Sequence, residues 1–318
     1  MDNNIITAPG VYDLTTEQYD TIRTPKQALR SSVAKILLRQ TAAHAWTAHP
    51  RLNPNFEIET NKKFDRGNCC HELLLRGSAN RIQVISGFDD WRKKEAQERR
   101  AAAYADGMIP MLDHEIAAAR EMHAAALQQL AGHRDSADIF TDGAAEKTLV
   151  WKETVRGQEI WLQVRLDFLP NQARERVFGD FKSLATNVNP DILHRYAFSA
   201  DWDFQEAFYR RGVTAVLGIE QPRFKFVVQE CDPPYALVVV DFPPEAKDYA
   251  DSKVEQAIDY WAWCLAKNAW PAYPAFTCTL EVPPWIGTEF EAQKVRRQRA
   301  LKDGRELYED MIKMQAPL

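Results

Sequence analysis

Phe178-Gly179-Asp180-Phe181-Lys182-Ser183 is the stretch on which the reading of this chain turns. It closes a strand-like run over residues 175–183, and side chains on a strand alternate between faces. Asp180 and Lys182 therefore project from one side and Phe181 from the other. Two further strand-like runs precede it, residues 146–152 and 158–169, separated by Gly157 and followed by the turn formers Pro170 and Asn171. The pattern predicts an antiparallel meander. If its last two strands form a hairpin centred between residues 173 and 174, the residue opposite Asp180 is Asp167, with the two carboxylates roughly 5 Å apart. Like charges so placed are destabilising and call for a bridging cation, a shared proton or water. A hard divalent cation meets that need. Magnesium takes oxygen ligands and would accept these carboxylates with a backbone carbonyl such as that of Phe181. Lys182 stands beside them, placed to orient a water and to stabilise developing charge. On the Asp-x-Lys triplet alone, solvated strand positions are the plainer reading, and the surroundings decide.

Outward from this centre, residues 62–76 predict an amphipathic helix carrying His71, and residues 81–86 a short strand. Helices are expected at 91–104 and 111–130, the second rich in alanine. Shorter helices are expected at 15–22, with a capping signal in Thr15 and Thr16, and at 27–40. Downstream come a helix over 202–217, strands at 223–229 and 236–241, a long helix over 245–267, and a charged helix over 290–314 after a proline-rich stretch. On the 202–217 helix, Gln205 and Tyr209 are four apart and share a face, offering an amide and a phenol to one ligand. A strand-rich centre flanked by helices is a mixed α/β or α+β core, and no glycine-rich phosphate loop is present. The organisation expected is an N-terminal helical segment over 1–60, a core over 61–288 and a C-terminal charged helix over 289–318.

Composition narrows the classes. At 318 residues, 45% of them hydrophobic, the chain can bury a genuine core. Forty basic against 45 acidic residues give a net charge of −5, so no global positive field attracts nucleic acid, and phosphate binding must be local or metal-mediated. The stripe Lys294, Arg296, Arg297, Arg299 and Lys302 reads first as a solvated helix face. No run is long and apolar enough to span a bilayer, and the first residues lack a signal-peptide layout, so a soluble, cytoplasmic protein without a membrane partner is expected. Five scattered cysteines suit reduced thiols better than disulfides or a thiolate metal site.

Four motifs stand in order: Gly67-Asn68-Cys69-Cys70-His71-Glu72-Leu73-Leu74-Leu75, Val164-Arg165-Leu166-Asp167, Gly179-Asp180-Phe181-Lys182-Ser183, and Gln205-Glu206-Ala207-Phe208-Tyr209. Together they resemble the exodeoxyribonuclease VIII (RecE) type of PD-(D/E)XK nuclease. The resemblance reaches back to Arg30-Ser31-Ser32 and on to Trp270-Pro271-Ala272-Tyr273 and Pro284-Trp285. It departs from the pattern at Leu166, where many relatives have proline, and at Cys69 and Cys70. The fold it implies is a restriction-endonuclease-like core, a central mixed sheet flanked by helices. His71, Asp167, Asp180 and the Phe181 carbonyl would be metal ligands, Lys182 the catalytic lysine, and Gln205 and Tyr209 helix residues near the DNA. Arg165 and, by a weaker match, Ser32 and Arg30 would contact DNA, the last two at a terminal 5′ phosphate. Glu146 would line the site or stand as an exposed strand acid.

The function so implied is magnesium-dependent degradation of linear double-stranded DNA from its ends, with manganese as a substitute. Digestion would run 5′ to 3′, leaving 3′ single strands for an annealing protein of the RecT type. A ring-shaped homo-oligomer would hold the duplex. The alternatives are a structure-specific endonuclease, a nuclease subunit of a larger complex, and a non-catalytic DNA-binding or annealing protein.

Overall fold

The chain enters its main sheet early. In the computed structural model, β1 (Gly10–Asp13) is followed by α1 (Thr16–Asp20), started by the predicted Thr15: its hydroxyl accepts from the Gln18 amide and the Gln18 side chain accepts from the Thr15 amide. Then come β2 (Ala28–Arg30), α2 (Ser31–Arg39) and α3 (Ala42–Thr47). After α4 (Asp65–Arg76) the order is β3 (Ile82–Ile85), α5 (Lys94–Ala105), β4 (Ile109–Leu112) and α6 (Asp113–Ala131). The central hairpin is β5 (Gly143–Val155) with β6 (Gln158–Pro170), and β7 (Phe178–Leu184), α7 (Pro190–Ser199) and α8 (Trp202–Leu217) follow. The larger unit ends with β8 (Phe224–Glu230), β9 (Leu237–Val240) and α9 (Pro244–Lys267). The structure describes residues 5–57 and 65–302, and the chain divides into two compact units, Met1–Ala272 and Tyr273–Leu318. The second unit carries α10 (Pro284–Lys302), with residues of the basic stripe exposed along it. Residues 303–314 of the predicted final helix and 62–64 of the helix ahead of His71 lie outside the described residues.

The strands make two principal ladders. One runs β1-β5-β6-β2, with β1 and β6 antiparallel to β5 and β2 parallel to β6. The other runs β7-β8-β9, parallel then antiparallel, and β3 pairs with β4 in a small parallel sheet. The β5–β6 connection is Arg156-Gly157, with φ of 51° and 74°; both values favour the tight turn whose twist matches the strands, and glycine adopts it without penalty. The segment before residue 60 contributes β1 and β2 to this sheet, and so lies in the same unit as the centre of the fold.

Helices cover the ladders. Trp151, Leu162 and Val164 pack with Phe204 and Phe208 of α8 and Trp261 of α9. Phe181 and Val227 turn the other way, onto Cys70 and Leu74 of α4 and Met122 of α6. Because β7 and β8 feed both cores, they are buried on both faces, the setting in which parallel strands occur. The mixed α/β architecture, a mixed sheet flanked by helices, agrees with the sequence reading. Among the described residues no helix is long and apolar enough to cross a membrane, and the five cysteines are free thiols.

The meander is corrected at one joint. β7 lies beside β6 but makes no hairpin with it; its ladder partner is β8, parallel to it, reached through α7 and α8. A strand buried on both faces with an apolar partner downstream gains more from that partner than from a hairpin to β6. The run at 27–40 also divides: Ala28–Arg30 pairs with Trp161–Gln163, and only from Ser31 is the chain helical.

Gly212, inside α8, marks how closely α8 approaches the hairpin. A Cβ there would lie 2.9 Å from Trp151 Cζ3 and 3.1 Å from Val164 Cγ2, both fully buried. Alanine is preferred to glycine in a helix by about 1 kcal/mol, but overpacking a filled core costs about 1–3 kcal/mol. Gly212→Ala is therefore expected to lower the denaturation midpoint, read by urea titration; an unchanged or raised midpoint would mean the Trp151 contact yields.

Candidate active site

Asp180 on β7 is only 1% exposed. Its Oδ2 accepts from Gln205 Nε2 at 2.7 Å, and its Oδ1 meets the Lys182 ammonium in an ion pair without an aligned hydrogen bond. The same-face placement of Asp180 and Lys182 thus becomes a contact. Gln205 reaches it from the first turns of α8, which starts at Asp201 in a left-handed conformation, φ 55°. Asp167 comes from β6. Its Oδ2 accepts the Phe181 backbone N–H at 2.8 Å and lies 3.2 Å from His71 Nε2 on α4. That N–H explains how β6 and β7 stay together without a ladder: a side-chain carboxylate takes a donor from the neighbouring strand. At Phe181 the structure records this amide contact, while its ring packs between Cys70 and Leu74 of α4.

The electrostatics follow from burial and proximity. Burial first, and then the Asp167 charge, push the Asp180 carboxyl up to about 6, against the pull of Lys182. Burial also disfavours charge on Asp167, but His71, Lys182 and the Phe181 N–H outweigh it and hold that carboxyl below its ordinary value. When the pair retains one proton, it sits on Asp180. For His71 burial acts to lower the pKa, yet Asp167, Glu146 and Asp180 raise it above 6.5. Burial likewise works against the Lys182 charge, and Asp180 and Asp167 overcome it, so the amine remains ammonium.

Glu146 borders this centre. In the β5–β6 register Ala145 faces Phe168 and Lys147 faces Leu166, which puts Glu146 level with Asp167. It adopts φ 50°, a left-handed conformation costly for a residue with a Cβ. Its carboxylate is held by Arg76 and, at 3.4 Å, by Arg81, and both arginines also reach the buried Glu72. Burial opposes its charge, but Arg165, Arg76 and His71 keep its pKa below the usual carboxylate range. Tyr209 packs edge-on against Phe224, centroids 6.0 Å apart. Burial, then Tyr19, Asp180 and Asp167, drive its phenol far above its normal pKa. Arg165 lies over the Tyr19 ring at 5.0 Å and donates to Thr16 Oγ1 at 3.1 Å.

His71 thus contacts Asp167, Lys182 and Gln205 contact Asp180, and the two groups are near enough for their charges to act on one another, with Glu146, Tyr209 and Arg165 around them. Arg30 is tied to Asp20, and Ser32 is exposed in the first turn of α2; no contact joins either to the carboxylates. The sequence reading missed Arg76 and Arg81, whose only signal is the i,i+4 spacing of Glu72 and Arg76, and it assigned no role to Lys35. Lys35 donates to the Ala200 carbonyl at 3.3 Å and is near enough to feel both Lys182 and Asp180. The thiols of Cys69 and Cys70 are each pushed up to about 12 by burial, which removes them as thiolate ligands.

Among the described residues no three His, Cys, Asp or Glu side chains are already gathered as a metal cage. The chemistry of the donors still suits a hard divalent cation: His71 stands against Asp167, one Asp180 oxygen lacks an aligned hydrogen bond, and the like-charge conflict that raises Asp180 is one a cation relieves. PD-(D/E)XK nucleases typically use divalent metals.

The comparisons agree with this arrangement. A solved structure described as a "Putative exonuclease" from Eubacterium rectale superposes with a TM-score of 0.50 at 14% identity, over 86% of this chain and 96% of its own, which shows a shared fold. A second, described as SSO0001, aligns at 13% identity over 68% of this chain and 99% of its own; its TM-score of 0.25 carries no argument. No curated protein matches. Residues 31–280, which contain every member of the cluster, match the model of the PDDEXK-like domain of unknown function DUF3799. The chain belongs to that family, within the PD-(D/E)XK nuclease superfamily.

Proposed function

We propose that this protein is a magnesium-dependent deoxyribonuclease, an exonuclease that degrades linear duplex DNA. The observation that carries the reading is the convergence of Asp167, Asp180, Lys182, His71 and Gln205, from four elements, on one partly open point. A set of two carboxylates, a neutralising lysine and an orienting amide suits hydrolysis of a phosphodiester, where charge builds on phosphate oxygens as water attacks. A magnesium ion, or manganese in its place, held by Asp167, Asp180, His71 and the Phe181 carbonyl would supply positive charge that polarises the phosphate.

The chain's own residues do the positioning. Lys182, kept as ammonium by its two carboxylates, is a cation and donor at the point of attack. It can hold the incoming water in line and stabilise the developing oxyanion. Gln205 fixes the Asp180 carboxylate through Oδ2 and leaves Oδ1, itself buried, to Lys182. Tyr209 and Arg165 stand beside the carboxylates, where the strand being cut would pass. The finer parts of the proposal are 5′-to-3′ polarity, terminal phosphate contacts at Arg30 and Ser32, a DNA-holding ring, an annealing partner and a cytoplasmic setting. They rest on the four-motif resemblance to RecE-type exonucleases.

Digestion of a linear duplex labelled at one 5′ end, beside a closed circle, tests the reading. Magnesium-dependent loss of the linear substrate alone is expected, stopped by EDTA and reduced at least about 10²-fold by Asp180→Ala or Lys182→Ala. Cutting of the circle would establish the endonuclease alternative, and no cutting with magnesium or manganese would refute the proposal.

A second expectation concerns pH. The Asp180 carboxyl keeps its proton up to about pH 6, and the His71 imidazole keeps its own past the usual 6.5. Both protons must leave before a cation binds, so affinity rises as pH climbs through this range. Below it, affinity falls by up to about tenfold per unit for each proton. Calorimetric titration with manganese should show this loss between pH 7.5 and pH 5.5, together with proton release, and Asp167→Ala should abolish binding. A pH-independent affinity would mean these groups are not the ligands.

A further inference from the structure

Between helices α2, α7, α8 and α9 lies an open cavity of about 430 Å³ lined by Lys35, Arg39, Phe198, Asp201, Tyr249 and Lys253 among others. The volume falls within the range of about 300–1,000 Å³ usual for small-molecule sites. Its charges are unevenly matched. Arg39 is neutralised by Asp201, whose Oδ1 accepts from Nη2 at 2.7 Å, and Lys253 is neutralised by Asp203. Lys35 has the Ala200 carbonyl and, among the described residues, no carboxylate within ion-pair distance. Burial, and then the Lys182 charge, lower its pKa to about 8, so it remains largely charged at neutral pH and lacks an anion.

The second observation is aromatic. Phe198 and Tyr249 line the cavity yet are 42% and 63% exposed, and Tyr196, on the same helix as Phe198, is 43% exposed and near enough to Lys182 to act on its charge. Tyr249 already receives the Lys253 ammonium at 5.0 Å from its ring centre. Exposed rings beside an unmatched cation are what single-stranded nucleic acid requires: bases stack on the rings and the backbone phosphate meets the cation. An intact duplex offers the phosphate but keeps its base faces inside the stack.

We infer that this cavity seats one unpaired nucleotide of the strand being cut, with its phosphate on Lys35 and its base against Phe198 and Tyr249. The protein would then engage a locally opened end rather than closed duplex. The inference rests on the proposed nuclease reading and deepens it, since Lys35 links the cavity to Asp180 and Lys182.

The experiment is fluorescence anisotropy of a short labelled oligothymidylate and of a blunt duplex of equal length, with full-length protein in EDTA so that nothing is cut. The wild type is expected to prefer the single strand. Phe198→Ala with Tyr249→Ala should weaken single-strand binding by about tenfold or more. Lys35→Gln should reduce the salt dependence of that binding by about 0.7 in log–log slope, one phosphate's worth. Lys94→Gln, on the exposed face of α5, should change neither. Tyr249→Ala alone, at a largely exposed side chain, guards against misfolding of the double variant and should still lose several-fold. Unchanged affinity in the aromatic variants, or equal binding of blunt duplex, overturns the inference even if Asp180-dependent cutting of linear DNA persists. Loss of all metal-dependent cutting with single-strand binding intact would instead remove the nuclease reading and leave the pocket.

Discussion

Two carboxylates from strands that share no ladder are held against each other, and the larger unit is arranged around the consequences. Asp167 and Asp180 cannot both carry full charge in so little water without opposing cations or donors. The fold supplies them from separate places: His71 from α4 and the Phe181 amide for Asp167, Lys182 and Gln205 for Asp180. The Asp180–Lys182 contact lies within β7, but the others cannot form until β6, β7, α4 and α8 are docked. The charge conflict is therefore a product of complete folding, and it leaves the buried Asp180 Oδ1 with an ion pair but no aligned hydrogen bond. A core chosen for stability alone would have placed apolar residues here, since paired buried charges seldom repay their desolvation.

Around this centre stands a second polar layer with its own internal balance. Glu72 and Glu146 share Arg76 and Arg81, and Glu146 holds a left-handed backbone beside Asp167. A non-glycine residue at φ 50° persists when its surroundings fix it, and two guanidinium groups on its carboxylate do so. The layer also sets the field at His71, which feels Glu146 as well as Asp167. Removing either arginine would leave a partly buried carboxylate short of a partner and raise the negative potential at the imidazole.

The centre was legible in the sequence because it rests on local rules. Strand alternation alone puts Asp180 and Lys182 on one face, and helical spacing puts Gln205 and Tyr209 on another. Asp167 lies near enough to raise the Asp180 pKa, but not through the expected hairpin: β7 pairs in parallel with β8, and the Asp167 carboxylate takes the Phe181 amide across the gap. Periodicity reports which face a side chain occupies and is silent on which strand lies alongside. The short elements β1, β2, β4, α3 and α7 were missed for the same reason, since each is stabilised by its partner more than by its own residues. Lys35 was visible as one of several basic residues on the early helices, but what distinguishes it is burial within reach of the Lys182 charge and, among the described residues, no carboxylate at ion-pair distance, a property of packing.

The cations of this chain also explain how an acidic protein can work on an anionic polymer. With a net charge of −5, long-range attraction to DNA is weak. The positive groups near the centre are spent locally: Arg76 and Arg81 on glutamates, Lys182 on Asp180, Arg39 and Lys253 on Asp201 and Asp203. Lys35 differs: among the described residues it has the Ala200 carbonyl and no carboxylate within ion-pair distance. A phosphate that reaches Lys35 therefore meets a cation whose charge is not already taken by a neighbouring carboxylate.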